Sequence, residues 1–170
     1  MSRTRCLRRV LWPLWLLACC AADAETPQPS GWHLIASGTP TSRSFTLSLN
    51  AQSEVQGWQR TALPVLTLEC GQTKAAVFVD TGLPLEVTAF DKQIVRLRLD
   101  DHDFVAQRWP EVNNTTVSSR FAAALIRQLA QSRKFVFEFT PFSGAPVRAE
   151  FAVEGLSGYL SQLEQACLRN

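Results

Sequence analysis

Residues 65–79 read VLTLECGQTKAAVFV. Two apolar runs of strand length, 65–70 and 75–79, flank a short stretch that begins with Gly71, and Pro64 stands just before the first run. Apolar and β-branched runs on either side of a glycine-containing turn are typical of a β-hairpin. This hairpin leads us to expect an antiparallel sheet for the chain as a whole.

Alternation of apolar and polar residues predicts further strands on both sides of the hairpin. The alternation recurs at 32–36, 45–50, 95–100, 135–140 and 147–153. In the segment 135–140, three phenylalanines occupy every second position, so that one face of this strand is aromatic.

Two segments follow a helical period instead. The first has an apolar stripe that consists of Phe121, Ala122, Leu125, Ile126 and Leu129. Ser118 and Ser119 precede it and are favoured capping residues. The second stripe consists of Leu156, Leu160, Leu163 and Cys167. The predicted fold class is therefore α+β, an antiparallel β-sheet or sandwich with two helices packed on it.

The N-terminus has the pattern of a signal peptide. Four arginines lie within residues 3–9, the apolar run Val10–Ala18 follows, and Ala22-Asp23-Ala24 offers the small residues that a signal peptidase recognises. The apolar run is too short to span a bilayer. We expect a signal peptide at 1–24, a proline-containing spacer at 25–31 and a single domain at 32–170, located in the periplasm.

The same region contains an alternative processing site. Leu16-Leu17-Ala18-Cys19 matches a bacterial lipobox, in which Cys19 would be lipidated. The mature chain then starts at either Cys19 or Glu25. Lipidation would anchor the domain to a membrane surface, and this anchor is the only membrane contact that we expect.

Only Cys70 and Cys167 remain in the chain after residue 24. Two cysteines in an oxidising compartment predict one disulfide. Because these cysteines lie 97 positions apart, the bridge would stabilise the fold by roughly 4 to 5 kcal/mol in the loop-entropy treatment.

The charge balance argues against nucleic acid as a partner. Loss of residues 1–24 removes four arginines and one aspartate, so the formal net charge falls from +2 to −1. A near-neutral domain lacks the overall positive charge that attracts nucleic acid or an anionic membrane.

One motif raises the question of catalysis. Asp80-Thr81-Gly82 follows an apolar strand, the setting in which retroviral-type aspartic peptidases carry their catalytic carboxylate. Leu83 and Pro84 depart from that pattern, and a single motif would require a dimer. A strand-end turn explains the residues more simply. We predict no catalytic residues and keep an aspartic peptidase using Asp80 as the alternative.

No cofactor or metal is expected. The sequence lacks a phosphate-binding glycine loop and a dinucleotide fingerprint. Asp100-Asp101-His102-Asp103 is rich in ligand atoms, but four adjacent residues cannot all turn toward one ion without a shaped loop. A solvated strand end is the favoured interpretation.

Three aromatic residues are candidates for an interaction surface: Trp58, Trp109 and Phe142. Scattered aromatics are more often part of a core. If these residues are exposed, a structural domain that binds cell-wall glycan is a further alternative.

Several short segments together resemble the TagO/VasI family of accessory proteins linked to bacterial type VI secretion. The segments are Trp32, 66–70, 76–79, 95–100, Trp109, Phe121, Leu125, 137–142, Phe151, 155–156 and 166–167. The similarity covers roughly residues 31–168. It implies a small exported domain without known catalysis, with envelope or secretion-machine proteins as partners. Residues 37–43 lack the acidic residues that family members often carry there.

Overall fold

The computed structural model describes residues 31–39, 42–71, 74–86 and 91–168. The predicted signal peptide, the lipidation site at Cys19 and most of the spacer lie outside these residues. Within the described ranges, none of the helices has the length and apolar character needed to cross a bilayer.

Eleven strands lie in the described ranges, and all of their pairings are antiparallel. They are β1 (His33–Thr39), β2 (Ser42–Asn50), β3 (Val55–Gln56), β4 (Thr61–Ala62), β5 (Val65–Gly71), β6 (Lys74–Asp80), β7 (Lys92–Leu99), β8 (Val105–Pro110), β9 (Thr116–Ser118), β10 (Lys134–Phe139) and β11 (Val147–Ala152). One sheet has the order β1-β2-β5-β6-β9, a second has the order β11-β10-β7-β8, and β3 pairs with β4.

The predicted hairpin is confirmed as β5 and β6, which pair in continuous register from Val65 to Gly71. Leu68 lies opposite Val77, and both side chains are fully buried. Alternate side chains of this hairpin therefore form one wall of the core, as the period of two requires.

The two larger sheets pack around one core. Phe135, Phe137 and Phe139 project into it from β10, as the alternation predicts. The ring centroid of Phe137 lies 5.3 Å from that of Trp109 on β8, and that of Phe135 lies 5.9 Å from that of Phe151 on β11. These separations are typical of favourable aromatic pairs. The predicted fold class, an antiparallel sheet sandwich with two helices and one disulfide, is confirmed.

The first predicted helix is α1 (Ala122–Leu129), and its start corrects the capping prediction. Ser118 belongs to β9, and the backbone N–H of Ser119 donates to the carbonyl of Val77 on β6. Because both serines take part in pairing with β6, neither occupies the N-cap position of α1. The Ser119 hydroxyl instead accepts a hydrogen bond from the N–H of Phe121 in the turn before the helix.

The second predicted helix is present but irregular. A 3₁₀ turn (Leu156–Tyr159) leads into α2 (Leu160–Leu163), and a π turn (Glu164–Leu168) ends the described chain. The predicted stripe still faces inward, since Leu156, Leu163 and Cys167 are buried.

The disulfide joins Cys70 on β5 to Cys167 in the π turn, with their Cα atoms 5.5 Å apart. This separation is typical of disulfides. Both cysteines are buried, so the bond fastens the last helical segment to the five-stranded sheet beneath it.

Candidate partner-binding groove

A groove of about 590 Å³ lies between α1 and the hairpin formed by β7 and β8. Its lining combines three leucines, Leu97 and Leu125 of the core and the partly buried Leu99, with polar side chains at the rim. The volume falls within the range of ligand-binding clefts in proteins. None of the aromatic residues predicted as an interaction surface lines this groove.

The groove exists because α1 does not cover the inner face of the four-stranded sheet as far as β8. Leu97 on β7 pairs with Phe137 on one side and with Val105 on the other, so all three side chains face the same way. Phe137 is fully buried and Leu97 is 6% exposed, but Val105 is 57% exposed. The edge of the core is therefore open to solvent at Val105.

Phe121 forms the opposite wall of the opening. The sequence pattern placed it on the buried stripe of α1, but its side chain is 67% exposed. Its carbonyl accepts the first hydrogen bond of the helix, from Leu125 N. The backbone at Phe121 is outside the helical region (φ −116°, ψ 44°), so the ring does not follow the helical period. Phe121 and Val105 thus present two large apolar side chains at the groove.

A polar side chain of the groove is hydrogen-bonded to a buried residue of the core. Gln107 on β8 lines the groove, and its Oε1 accepts a hydrogen bond of 2.8 Å from the Trp109 indole N–H. This bond satisfies the buried indole and fixes the orientation of the amide. On the helix side, Gln128 and Gln131 add further amides to the rim.

One end of the groove is acidic. Asp100 and Asp103 from the β7–β8 loop belong to its lining. Asp100 Oδ1 accepts backbone hydrogen bonds of 2.9 Å from Lys134 and from Arg133. These two bonds, that from Lys134 foremost, lower the pKa of Asp100 because they favour its ionised form.

The same hydrogen bonds explain the acidic stretch that the sequence marked as rich in metal ligands. Asp100 adopts a left-handed backbone (φ 47°), and its carboxylate ties the loop to the start of β10. His102 Nδ1 lies 2.9 Å from the carbonyl oxygen of Leu99. Among the described residues, no cluster of three or more acidic, histidine or cysteine side chains is arranged to hold a metal ion.

Asp80-Thr81-Gly82 forms a turn at the end of β6. Asp80 Oδ1 accepts a hydrogen bond of 2.9 Å from Gly82 N, and Gly82 has a positive φ of 64°. The buried Thr81 hydroxyl lies within hydrogen-bond distance of the carbonyl oxygens of Leu83 and Thr115, either of which can accept its proton. Each residue of the motif thus has a role in the turn, as the simpler interpretation expects.

The predicted interaction surface requires one correction. Trp109 is 1% exposed because β8 turns it toward the core opposite Gln93, so it cannot form a surface. Trp58 and Phe142 are 68% and 50% exposed, in the turn between β3 and β4 and in the turn after β10. A glycan-binding hypothesis would therefore depend on these two residues alone.

No family model and no curated protein matches the chain. Among solved structures, a similar fold is seen in the crystal structure of invasion associated protein B from Bartonella henselae. The TM-score is 0.53 at 14% sequence identity, over 80% of this chain and 92% of the other. At this level of identity the likeness shows the fold alone, and the resemblance to the TagO/VasI family stays a prediction.

Proposed function

We propose that this chain is an exported accessory domain that binds a segment of another envelope protein in the groove between α1 and the β7–β8 hairpin. The observation that carries the proposal is the pair of exposed apolar side chains, Val105 and Phe121, on either side of an apolar floor. Exposed apolar surface in a concave site, rimmed by polar groups, is characteristic of binding sites.

The groove also indicates the chemistry of the bound segment. Its apolar floor fits one or two large apolar side chains, and the carboxylates of Asp100 and Asp103 favour a neighbouring lysine or arginine. β8 is one of the two edge strands of its sheet. An extended segment can therefore lie along β8 and place alternate side chains in the groove.

Features of the sequence support a cellular location outside the cytoplasm. The arginine-rich start, the short apolar run and Ala22-Asp23-Ala24 support export, and the disulfide between Cys70 and Cys167 suits an oxidising compartment. The resemblance to the TagO/VasI family favours a partner that belongs to a secretion machine. Periplasmic location, with or without an anchor at Cys19, is part of the proposal.

Site-specific photo-crosslinking tests the binding site. A photoreactive amino acid at position 121, in protein expressed at native abundance, should yield a discrete adduct with one envelope protein. The same amino acid at position 142, which is also exposed but lies outside the groove, is the matched control. Identical adducts from both positions, or none from position 121, would count against the groove.

A charge reversal tests the polarity of the site. Asp103 is exposed, so Asp103→Lys should leave the fold intact while weakening the adduct from position 121. The adduct peptide should contain a basic residue next to an apolar one. An unchanged yield with Asp103→Lys would exclude the acidic end from recognition.

Export is tested separately, by the intact mass of the protein from an envelope fraction. A mass that begins at Glu25 indicates a soluble periplasmic domain, and an acylated mass that begins at Cys19 indicates an anchored one. An uncleaved chain in the cytoplasm would contradict the proposal.

A further inference from the structure

The outer face of the four-stranded sheet, on the side away from the core, carries a concentrated positive charge. Its basic residues are Lys92, Arg96, Arg98, Arg108, Lys134 and Arg148, and its acidic residues are Glu138 and Glu150. The strand residues of this face thus sum to a formal charge of +4. The chain from residue 25 onward sums to −1, so the near-neutral total conceals a strongly basic surface.

The charge is focused around one aromatic ring. Phe104, just before β8, has the guanidinium carbon atoms of Arg96 and Arg98 at 4.8 Å from its ring centroid, and that of Arg148 at 5.1 Å. Cation–π contacts of this length hold guanidinium groups over a ring face. Three arginines from two strands therefore converge on a single point, which we name the Phe104 cluster.

Among the described residues, one carboxylate forms ion pairs with arginines of this cluster. Glu138 on β10 accepts a hydrogen bond of 2.7 Å from Arg96 at one oxygen and a second of 2.7 Å from Arg148 at the other. The Arg96 and Arg148 side chains are still 48% and 55% exposed. No carboxylate in the described part of the chain pairs with Arg98. The three arginines and Glu138 of the Phe104 cluster therefore sum to an excess of two positive charges. The Arg96 and Arg148 side chains are partly open to solvent, whereas Arg98 Nε is buried and has no hydrogen-bond partner within the described ranges.

Like charges this close repel each other, and a bound anion would relieve the repulsion. Guanidinium groups match the oxygens of phosphate through paired N–H donors. We propose that the Phe104 cluster binds a phosphate group, and that the remaining lysines and arginines of the outer face attract phosphate-bearing molecules toward it. Phe104 and Glu138 hold the arginines in place beforehand, which reduces the conformational cost of binding. This site is separate from the groove and does not depend on the proposed partner.

The phosphate could be soluble or could belong to a lipid headgroup, and two measurements distinguish these sources. The first is titration of the folded protein with inorganic phosphate at low ionic strength, followed by amide and arginine side-chain NMR signals. The second is co-sedimentation with vesicles of phosphatidylcholine and phosphatidic acid in equal parts, compared with vesicles of phosphatidylcholine alone.

Matched arginine variants decide whether the Phe104 cluster is responsible. Arg98→Gln should weaken binding about tenfold, because it removes a charge-assisted contact without disturbing Glu138. Arg120→Gln makes the same change between β9 and α1, off the outer face, and should leave binding unchanged. Arg108→Gln, at an exposed position on the outer face, should weaken binding about threefold and provides a test if Arg98→Gln fails to fold.

Binding of inorganic phosphate that depends on Arg98 supports the proposal with a soluble ligand. Binding to the vesicles that contain phosphatidic acid, without binding to inorganic phosphate and again dependent on Arg98, supports the proposal with a lipid headgroup as the source. The proposal is overturned if the protein binds neither probe. It is also overturned if Arg98→Gln and Arg120→Gln change the affinity for a probe to the same extent.

Discussion

Phe137 and Val105 are the two cross-strand neighbours of Leu97, and they face the same side of the same sheet. Phe137 is fully buried among aromatic rings, whereas Val105 is 57% exposed beside the groove. One row of side chains thus passes from the centre of the core to open solvent within three strands. Burial at the first end stabilises the fold, and exposure at the second end leaves apolar surface available to a partner.

The difference arises from what covers each end of the row. Phe137 on β10 belongs to the core that the two sheets share, whereas α1 contacts β6 and faces β8 across the groove. A short helix of eight residues cannot cover the whole opening. We therefore expect substitutions at the β10 end of the row to affect stability and substitutions at the β8 end to affect binding.

The largest effect is expected at the buried end. Phe137→Ala should lower the free energy of unfolding by about 3 to 5 kcal/mol, since it removes a fully buried ring and leaves a cavity. Phe104→Ala makes the same change on the outer face, where the ring is only partly buried, and should cost clearly less. Urea unfolding measures the loss of unfolding free energy in both variants. Equal losses would contradict the full burial of Phe137 and the partial burial of Phe104.

A smaller loss is expected on the outer face of β10. Glu138→Gln should lower the free energy of unfolding by about 1 to 3 kcal/mol, because two charge-assisted hydrogen bonds are weakened while their arginine partners stay partly solvated. Glu150→Gln is the control, since no ion pair involves Glu150 in the described part of the chain. Equal changes in the free energy of unfolding for the two variants would show that the ion pairs of Glu138 contribute nothing to stability.

The same carboxylate predicts a pH dependence. Burial alone would raise the pKa of Glu138, but hydrogen bonds from Arg148 and Arg96 outweigh burial and lower it below the ordinary value of 4.5. Ionised Glu138 therefore stabilises the fold fully above this value, and its contribution is lost as the pH falls through the lower pKa of the folded state. Glu138→Gln should show a shallower loss of stability in acid than the unmodified protein. If the free energy of unfolding of both proteins fell equally with decreasing pH, Glu138 would not contribute to the acid dependence of stability.

A weaker effect is expected at the loop that closes the acidic end of the groove. Asp100→Asn keeps a residue that tolerates the left-handed backbone but weakens the acceptor for Arg133 and Lys134. Hydrogen exchange at these two amides should accelerate, with less global destabilisation than Glu138→Gln causes. Asp101→Asn, at the exposed neighbouring position, should leave both exchange rates unchanged.

Much of the fold could be predicted because local alternation determines which residues are buried. The apolar runs on either side of the Gly71 turn predicted the β5–β6 hairpin, the period of two predicted the aromatic face of β10, and the count of cysteines after residue 24 predicted the disulfide. The buried position of Trp109 could not be predicted, because the polar Gln107 lies on the same face of β8 and interrupts the apolar alternation.

The binding surfaces were less predictable because they depend on where elements stop and on which strands are neighbours. Phe121 fits the period of α1, but the helix starts one residue later, and this boundary alone puts its ring in solvent. The basic outer face combines residues of four strands whose order, β11-β10-β7-β8, is not the order of the sequence. Net charge cannot reveal such a grouping.

The smallest effect on stability should accompany the largest effect on binding, and Phe121→Ser measures both. Serine is favoured at the position before a helix, and the lost ring is mostly exposed. We predict a free energy of unfolding within about 0.5 kcal/mol of that of the unmodified protein, together with loss of the envelope protein that crosslinks through position 121, measured by co-purification. A loss of several kcal/mol, or unchanged recovery of that protein, would contradict the claim that Phe121 is exposed in order to bind.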